Sequence, residues 1–285
     1  KGIRFMIKNY DCSQIENYDI LRKVQLTQLE ILKKIDNFCK SNGIRYSLAY
    51  GTMLGAVRHG GFIPWDDDMD ICMPREDYDR FLSSWKDTDE FLLQNHKTNY
   101  DFKQTFSKIR KKNTAFVQKT EIGKNYQKGI FVDIFPMDRK PLSRLKKYKQ
   151  MNNIMMYQLF MRGYVPENNG FLIKLGSKLI LKMHSKNKYD ILANKHLNKI
   201  VKYNDNSKLP FCDTCTFSDM HKSYDNDLFD ELDNIEFENE TFSVVKNYRK
   251  FLSECYGDYM KLPPKNEQTW FHHPFYIDTT SEYRE

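Results

Sequence analysis

Tyr46 to Pro74 reads YSLAYGTMLGAVRHGGFIPWDDDMDICMP, and four carboxylates fall within five positions of it: Asp66, Asp67, Asp68 and Asp70. They stand between apolar runs, just after a glycine-rich turn. Like charges packed this closely destabilise a fold unless a cation neutralises them. An all-oxygen ligand set suits a hard cation, Mg2+ or Mn2+. Carboxylate-held metals are a common device in phosphoryl and nucleotidyl transfer.

Ile44 to Tyr50 has mixed alternation and runs into Gly51, which predicts a strand followed by a turn. Gly51 and Thr52 can bring backbone N–H groups close to a phosphate, and a short helix from Met53 to Arg58 would add its positive end. Arg58 or His59 could neutralise charge on a leaving group. His59-Gly60-Gly61 makes a second turn, and Pro64 blocks helix there. Asp68 to Met73 then reads as a strand, in which residues two apart share a face. Asp68 and Asp70 project together on that reading, and Met69 and Ile71 face the core. Asp66 is an additional candidate ligand. Asp67 turns to the other side, into an outer shell or solvent.

Outward from this stretch, residues 1–18 are irregular, and Leu21 to Lys40 carries apolar residues at helical spacing, ending at Ser41-Asn42-Gly43. Arg75 to Leu82 begins another helix. Phe102 to Val117 reads as a strand pair that puts Lys108 and Arg110 on one face. If that face lines the cleft, both could hold nucleotide phosphates; otherwise it is solvated. Ile130 to Phe135 is a strand with Asp133 in its middle. An acid inside so apolar a run is seldom filler, which marks Asp133 as a metal ligand or base.

Residues 140–202 read as helices, with a loop from Gly163 and Val165-Pro166 to Gly170. In FLIKLGSKLILKM, from Phe171 to Met183, lysines recur at 174, 178 and 182. The simpler expectation packs the apolar side on the domain and solvates the lysines; the alternative lays this helix on an anionic membrane surface. Asn234 to Val245 reads as a β-hairpin around Glu238-Asn239-Glu240. Tyr248 to Tyr256 is helical, and Pro263-Pro264 stops it.

At 285 residues and 40% hydrophobic, the chain can build a sizeable core without covalent staples. No run reaches the roughly 18 apolar residues that span a bilayer. Six cysteines, at 12, 39, 72, 212, 215 and 255, fit a reducing, cytoplasmic setting. Cys212-Asp213-Thr214-Cys215 is at most half of a zinc site, and no second pair follows at suitable spacing. The net charge of +7 is unevenly spread: residues 139–202 carry an excess of 13 positive charges, and 205–240 an excess of 9 negative. No nucleic-acid recognition motif accompanies the basic stretch, so nucleic acid is not an expected partner.

Gly51-Thr52 followed by Asp68-x-Asp70 resembles the nucleotidyltransferase superfamily signature. The longer text GTMLGAVRHGGFIPWDDDMDI resembles the LicD family of phosphotransferases, which includes bacterial phosphocholine transferases and is related to the fukutin-related proteins. Phe131 to Asp138 is similar to the family's third acidic strand, which maps the third carboxylate onto Asp133. Tyr256 to Pro264, followed by His272-His273, is similar to the C-terminal signature, although Gln268-Thr269-Trp270-Phe271 stands where that signature often has a basic residue.

The resemblance implies an α+β fold: a nucleotidyltransferase-like mixed sheet flanked by helices, with a helical basic insertion. On that basis 1–20 is an N-terminal arm, 21–138 the catalytic core and 139–204 the basic helical region. Residues 205–285 complete the catalytic domain. The implied reaction moves a phospho-alcohol, phosphocholine foremost, from a CDP-linked donor to a hydroxyl of a cell-surface glycan or its lipid-linked precursor. Asp68, Asp70 and Asp133, with Asp66, would hold Mg2+ or Mn2+, and Gly51 and Thr52 would cradle phosphate. Trp65, Tyr256 and Trp270 offer aromatic faces for a trimethylammonium group. His272 or His273 would contact phosphate or metal, but adjacent side chains diverge, so at most one acts there. A true nucleotidyltransferase and a non-catalytic glycan- or membrane-binding scaffold are the alternatives.

Overall fold

The computed structural model describes residues 11–165, 170–215 and 219–285. The fold is α+β, a mixed sheet flanked by helices, as the sequence predicts. The elements in chain order are α1 (Tyr18–Asn42), β1 (Ser47–Leu48), α2 (Tyr50–Arg58), β2 (Asp70–Pro74), α3 (Arg75–Ser84), β3 (Phe91–Gln94), β4 (Ser107–Lys111) and β5 (Ala115–Val117). There follow β6 (Phe131–Arg139), α4 (Arg144–Arg162), α5 (Phe171–Lys182), α6 (Tyr189–Val201), β7 (Phe211–Asp213), β8 (Leu232–Phe237), β9 (Glu240–Val245), α7 (Tyr248–Tyr256) and β10 (Tyr276–Asp278). The chain divides into two compact units. One takes the chain up to Gln94 together with Ser107–Phe135 and Leu228–Glu285; the other takes Asn95–Phe106 and Pro136–Asp227.

In the first unit the strand order is β1-β2-β6-β4-β3. β1 pairs antiparallel with β2, β3 with β4, and β4 with β6, where Lys108 lies opposite Asp133. The Asp133 N–H donates to the Met69 carbonyl at 2.8 Å, which brings the middle of β6 beside the acid-rich stretch. α1 buries Leu21, Val24, Ile31, Leu32, Ile35 and Cys39, the helical stripe expected of it, and ends on left-handed Gly43. Two glutamines lie buried on the same helix. The Gln25 amide donates to the Asp66 carbonyl and that of Gln28 to the Asp67 carbonyl, each at 2.9 Å.

Those two bonds explain a difference from the sequence reading. The Asp66 and Asp67 carbonyls are taken by α1, and β2 begins only at Asp70, so Asp68 precedes the strand and the same-face argument does not reach it. Likewise β1 is two residues long, and α2 starts at Tyr50 rather than Met53, putting Gly51 and Thr52 in its first turn. Tyr50 takes a left-handed φ of 42° at that abrupt change from strand to helix. The segment 102–117 is not a hairpin either. β4 sits between β3 and β6, whereas β5 pairs with β10, because left-handed Asn113 diverts the chain between them.

The tip of the β8–β9 hairpin braces the turn before the acids. Glu238 and Asn239 both take left-handed φ values, 54° and 62°, the pairing a tight two-residue hairpin turn requires. Glu238 accepts the Phe62 N–H at 3.1 Å and pairs with Arg22 of α1 through both carboxylate oxygens. Gly55 belongs to the same assembly. A Cβ there would run into the Gly61 carbonyl oxygen and lie 3.1 Å from the Ile63 nitrogen, both backbone atoms. Gly55→Ala is therefore expected to destabilise the protein by about 1–3 kcal/mol, the usual range for overpacking. Urea unfolding checks this, and an unchanged midpoint would contradict it.

In the second unit, α4 and α6 pack around Ile154, Tyr157, Phe160, Tyr189, Ala193 and Ile200. β7 pairs with the end of β6, Met137 opposite Asp213. The Lys140 ammonium donates to the carbonyls of Met220, His221 and Lys222. Cys212 is buried, and burial holds its thiol protonated; the Cys215 Sγ donates to the Thr105 carbonyl.

Of the arm expected at 1–20, residues 1–10 lie outside the described residues, as do the loop residues 166–169, and α1 already begins at Tyr18. α5 differs from the simpler expectation: it buries Ser177 and Leu181 and turns Phe171, Leu172, Leu175 and Leu179 outward. No helix among the described residues is long and apolar enough to cross a membrane.

Candidate active site

The acids converge in the first unit. Asp68 and Asp70 feel each other's charge and interact with both Asp66 and Asp133. Burial, then the charges of Asp68 and Asp67, pushes the Asp66 carboxyl well above the ordinary range. Burial, then Asp68, Asp133 and Asp66, does the same to Asp70. Asp68 is raised by burial and by Asp67 and Asp133, against the pull of His272. The Asp68 side chain remains 18% exposed, so the cluster is reachable from solvent.

Cations of the chain meet only part of this charge. The Lys108 Nζ lies 2.6 Å from Asp133 Oδ1 and 3.3 Å above the Phe131 ring centroid. Burial lowers the Lys108 ammonium below its usual value, against the opposing pull of Asp133. Asp133 Oδ1 is buried, and the Lys108 ammonium is its ion-pair partner. Four acids gathered with one lysine and one histidine beside them fit a hard cation with oxygen ligands.

His272 reaches the cluster from the chain's far end. Its backbone N–H and its Nδ1 engage the two oxygens of Asp67, each at 3.0 Å, and Nδ1 lies 3.8 Å from Asp68 Oδ2. Burial works against its charged form, but the Asp67 hydrogen bond and the charges of Asp68 and Asp67 outweigh it and raise its pKa. The ring packs edge-on to Phe116 and Phe131. Among the described residues, Asp67, Asp68 and His272 are the group whose ligand atoms lie close enough together to share a metal ion. His272 makes one hydrogen bond to each Asp67 oxygen, which holds the imidazole beside Asp68. Asp67 is fully buried, so it is the inner partner of His272 and does not face solvent.

Thr52 and Gly51 adjoin the acids from the first turn of α2. The Thr52 hydroxyl accepts the Asp70 N–H at 2.8 Å. A Cβ on Gly51 would lie 2.7 Å from Asp66 Oδ2, so glycine leaves that carboxylate its room. Arg58 is buried; it donates to His59 Nε2 at 2.9 Å and to the Tyr259 carbonyl at 3.0 Å, tying α2 to the C-terminal signature. Burial lowers its pKa, against the pull of Asp66. Burial, Cys255 and then Asp70, Asp66 and Asp68 push the Tyr256 hydroxyl up, which sets that half-exposed ring beside the acids.

Other sequence candidates stand elsewhere. Arg110 is fully buried and committed to Gln94, the Gly129 carbonyl and Glu121. Trp270 donates its indole N–H to the Glu16 carbonyl, and Trp65 is buried edge-on to His59. His273 is exposed, at a left-handed φ of 42°. Sequence reasoning missed Gln25, Gln28 and Glu238 as supports of the acid loop. The available signal was two glutamines on the apolar stripe of α1.

The family described as "LicD/FKTN/FKRP, nucleotidyltransferase domain" matches residues 43–166. The chain is 33% identical over 265 residues to the lipopolysaccharide cholinephosphotransferase LicD of Haemophilus influenzae, covering 88% of this chain and 96% of that one. Shorter matches, each 42% identical, join it to an uncharacterized protein of Rickettsia typhi over 65 residues (23% of this chain, 21% of that one) and to human ribitol 5-phosphate transferase FKRP over 48 (17% and 10%). An acid cluster framed by α2, β2, β6 and His272, and near full-length similarity to a LicD protein, lead to one assignment: the chain belongs to the LicD family.

Proposed function

We propose that this protein is a metal-dependent phosphotransferase that moves a phospho-alcohol, phosphocholine foremost, from a CDP-linked donor to a hydroxyl of a cell-surface glycan or its lipid-linked precursor. The observation that carries this reading is the buried group of carboxylates, Asp66, Asp68 and Asp70 with Asp133 beside them, at the first turn of α2. The names of the relatives support it: one transfers cholinephosphate to lipopolysaccharide, the other ribitol 5-phosphate.

Asp68, Asp70 and Asp133, with Asp66, would hold the ion, Mg2+ or Mn2+. When bound, the ion supplies the positive charge that a diphosphate needs as its P–O bond breaks. The chain's own groups do the rest. Amide N–H groups at the start of α2, around Gly51 and Thr52, bind phosphate oxygens, and Thr52 fixes that turn to Asp70. Asp133 orients the acceptor hydroxyl and takes its proton. Lys108 steadies Asp133, and Asp67 holds His272 beside Asp68. Tyr256 offers an aromatic face in an anionic neighbourhood, the chemistry that suits trimethylammonium. CMP leaves, and the acceptor oxygen gains the phospho-alcohol. The six free cysteines support a cytoplasmic setting.

Thermal unfolding with Mg2+ or Mn2+ and each of CDP-choline, CDP-ethanolamine, CDP-glycerol, CDP-ribitol and CTP tests the reading. A ligand at 100 times its Kd stabilises by about 2.7 kcal/mol. The expected result is a metal-dependent shift with one CDP-alcohol, followed by release of CMP when acceptor is added. A shift with CTP alone, and pyrophosphate as product, would favour a nucleotidyltransferase. No metal-dependent shift with any nucleotide would return weight to the binding-scaffold reading.

A further inference from the structure

α5 shows its apolar side to solvent. Phe171 is 77% exposed, Leu172 80%, Leu179 54% and Met183 79%, with Leu175 at 44%. At about 100° per residue these five side chains share roughly 120° of arc. The opposite side is the one held by the protein: Ser177 and Leu181 are buried, and the Tyr189 hydroxyl donates to the Leu181 carbonyl at 2.9 Å. Ile173 and Ile180 line an apolar groove with Met155 and Leu159 of α4. The helix therefore spends one apolar side on its own unit and leaves a second uncovered. Contiguous apolar surface of this kind marks a site of contact.

The charges beside that face identify its partner. Lys174, Lys178 and Lys182 recur every four residues along one edge of it, and all three are exposed. Lys186 and Lys188 follow, also exposed, and no Asp or Glu occurs from Gly170 to Lys188. An apolar face flanked by lysines, on a helix of 12 residues, is too short to cross a bilayer and suited to lie in its interface. The apolar side chains enter the boundary between headgroups and acyl chains while the lysines meet lipid phosphates. A protein partner would not need an edge so uniformly basic.

We propose that the exposed face of α5, from Phe171 to Met183, docks this protein on an anionic lipid bilayer. The test needs no nucleotide, metal or acceptor, so it stands or falls apart from the transfer reaction. The full chain is sedimented with vesicles of phosphatidylglycerol and phosphatidylcholine, and with phosphatidylcholine alone. Leu172→Asn/Leu179→Asn and Lys174→Gln/Lys178→Gln/Lys182→Gln are compared with the parent. All five positions are exposed, so both variants should keep the parent's melting temperature and circular dichroism.

The parent is expected to bind the anionic vesicles and to release as salt rises. The leucine variant should bind about tenfold more weakly or worse, as expected when interfacial apolar area is lost. The lysine variant should lose the preference for phosphatidylglycerol. No binding to anionic vesicles, or a leucine variant that binds like the parent, would overturn the proposal. So would a concentration-dependent dimer in sedimentation velocity that the leucine substitutions abolish, since a second copy would then cover the face.

Discussion

Asp68→Asn or Asp70→Asn should lower turnover by on the order of 10²–10³-fold, the loss typical when one preorganised electrostatic group is removed from a transition state. The same substitutions should raise the melting temperature of the metal-free protein. Both follow from one cause. In the free chain each acid is held among like charges that burial prevents water from screening, and both carboxyls are pushed up accordingly. An amide keeps the shape and removes one repelling charge. It also removes an oxygen anion that a hard cation prefers. Steady-state turnover and thermal unfolding, with and without Mg2+, separate the two effects. Turnover within tenfold of the parent would remove Asp68 and Asp70 from the chemistry. A lower melting temperature without metal would mean that the cluster is not a repulsive one.

The largest loss of stability is expected at Arg110→Met. Arg110 is fully buried and meets only its partners: its guanidinium reaches the Glu121 carboxylate at 2.7 Å, Gln94 and the Gly129 carbonyl. Removing one member of a buried ion pair costs about 3–5 kcal/mol, mostly because the other charge stays buried and uncompensated. The pH dependence gives a second signature. Burial pushes the Glu121 carboxyl up, but Arg110, the Gln118 N–H and Lys108 outweigh it and lower its pKa. A lowered folded pKa contributes stability that is present above the unfolded value and lost as pH falls through the folded one. In Arg110→Met the sign reverses. Protonation then relieves a buried charge, so the variant's deficit should narrow in acid. Chemical denaturation at neutral and acid pH checks this, and Arg110→Met/Glu121→Met should recover much of the loss. A single variant within 1 kcal/mol of the parent, well short of the roughly 3–5 kcal/mol expected, would show that the pair is not what holds this region.

Much of the candidate site was legible in the sequence because its residues are chemically out of place. Asp133 inside Phe131–Phe135, and four acids between apolar runs, have no cheap structural reading. The hairpin at Glu238 was legible for the same reason: alternation on both sides of a short polar turn leaves few alternatives. What sequence pattern missed was which partner each group would find. Lys108 and Arg110 alternate as expected, yet one meets Asp133 and the other is taken by Glu121, a residue outside the strand. Asp68 needed no strand to join Asp70, because Gln25 and Gln28 hold the preceding backbone. On α5 the period correctly marked an apolar stripe. A stripe says that something covers it, not that the same chain does.

The discontinuity of the first unit has a consequence in time. A ribosome finishes Asp66 to Asp70 long before it makes His272 or β10, the strand that pairs with β5. Residues 136–227, which belong to the other unit, are made in between. The acids therefore wait through the synthesis of a whole separate unit without their histidine partner. The centre stays half-built until the segment that carries His272 has emerged and returned to the start.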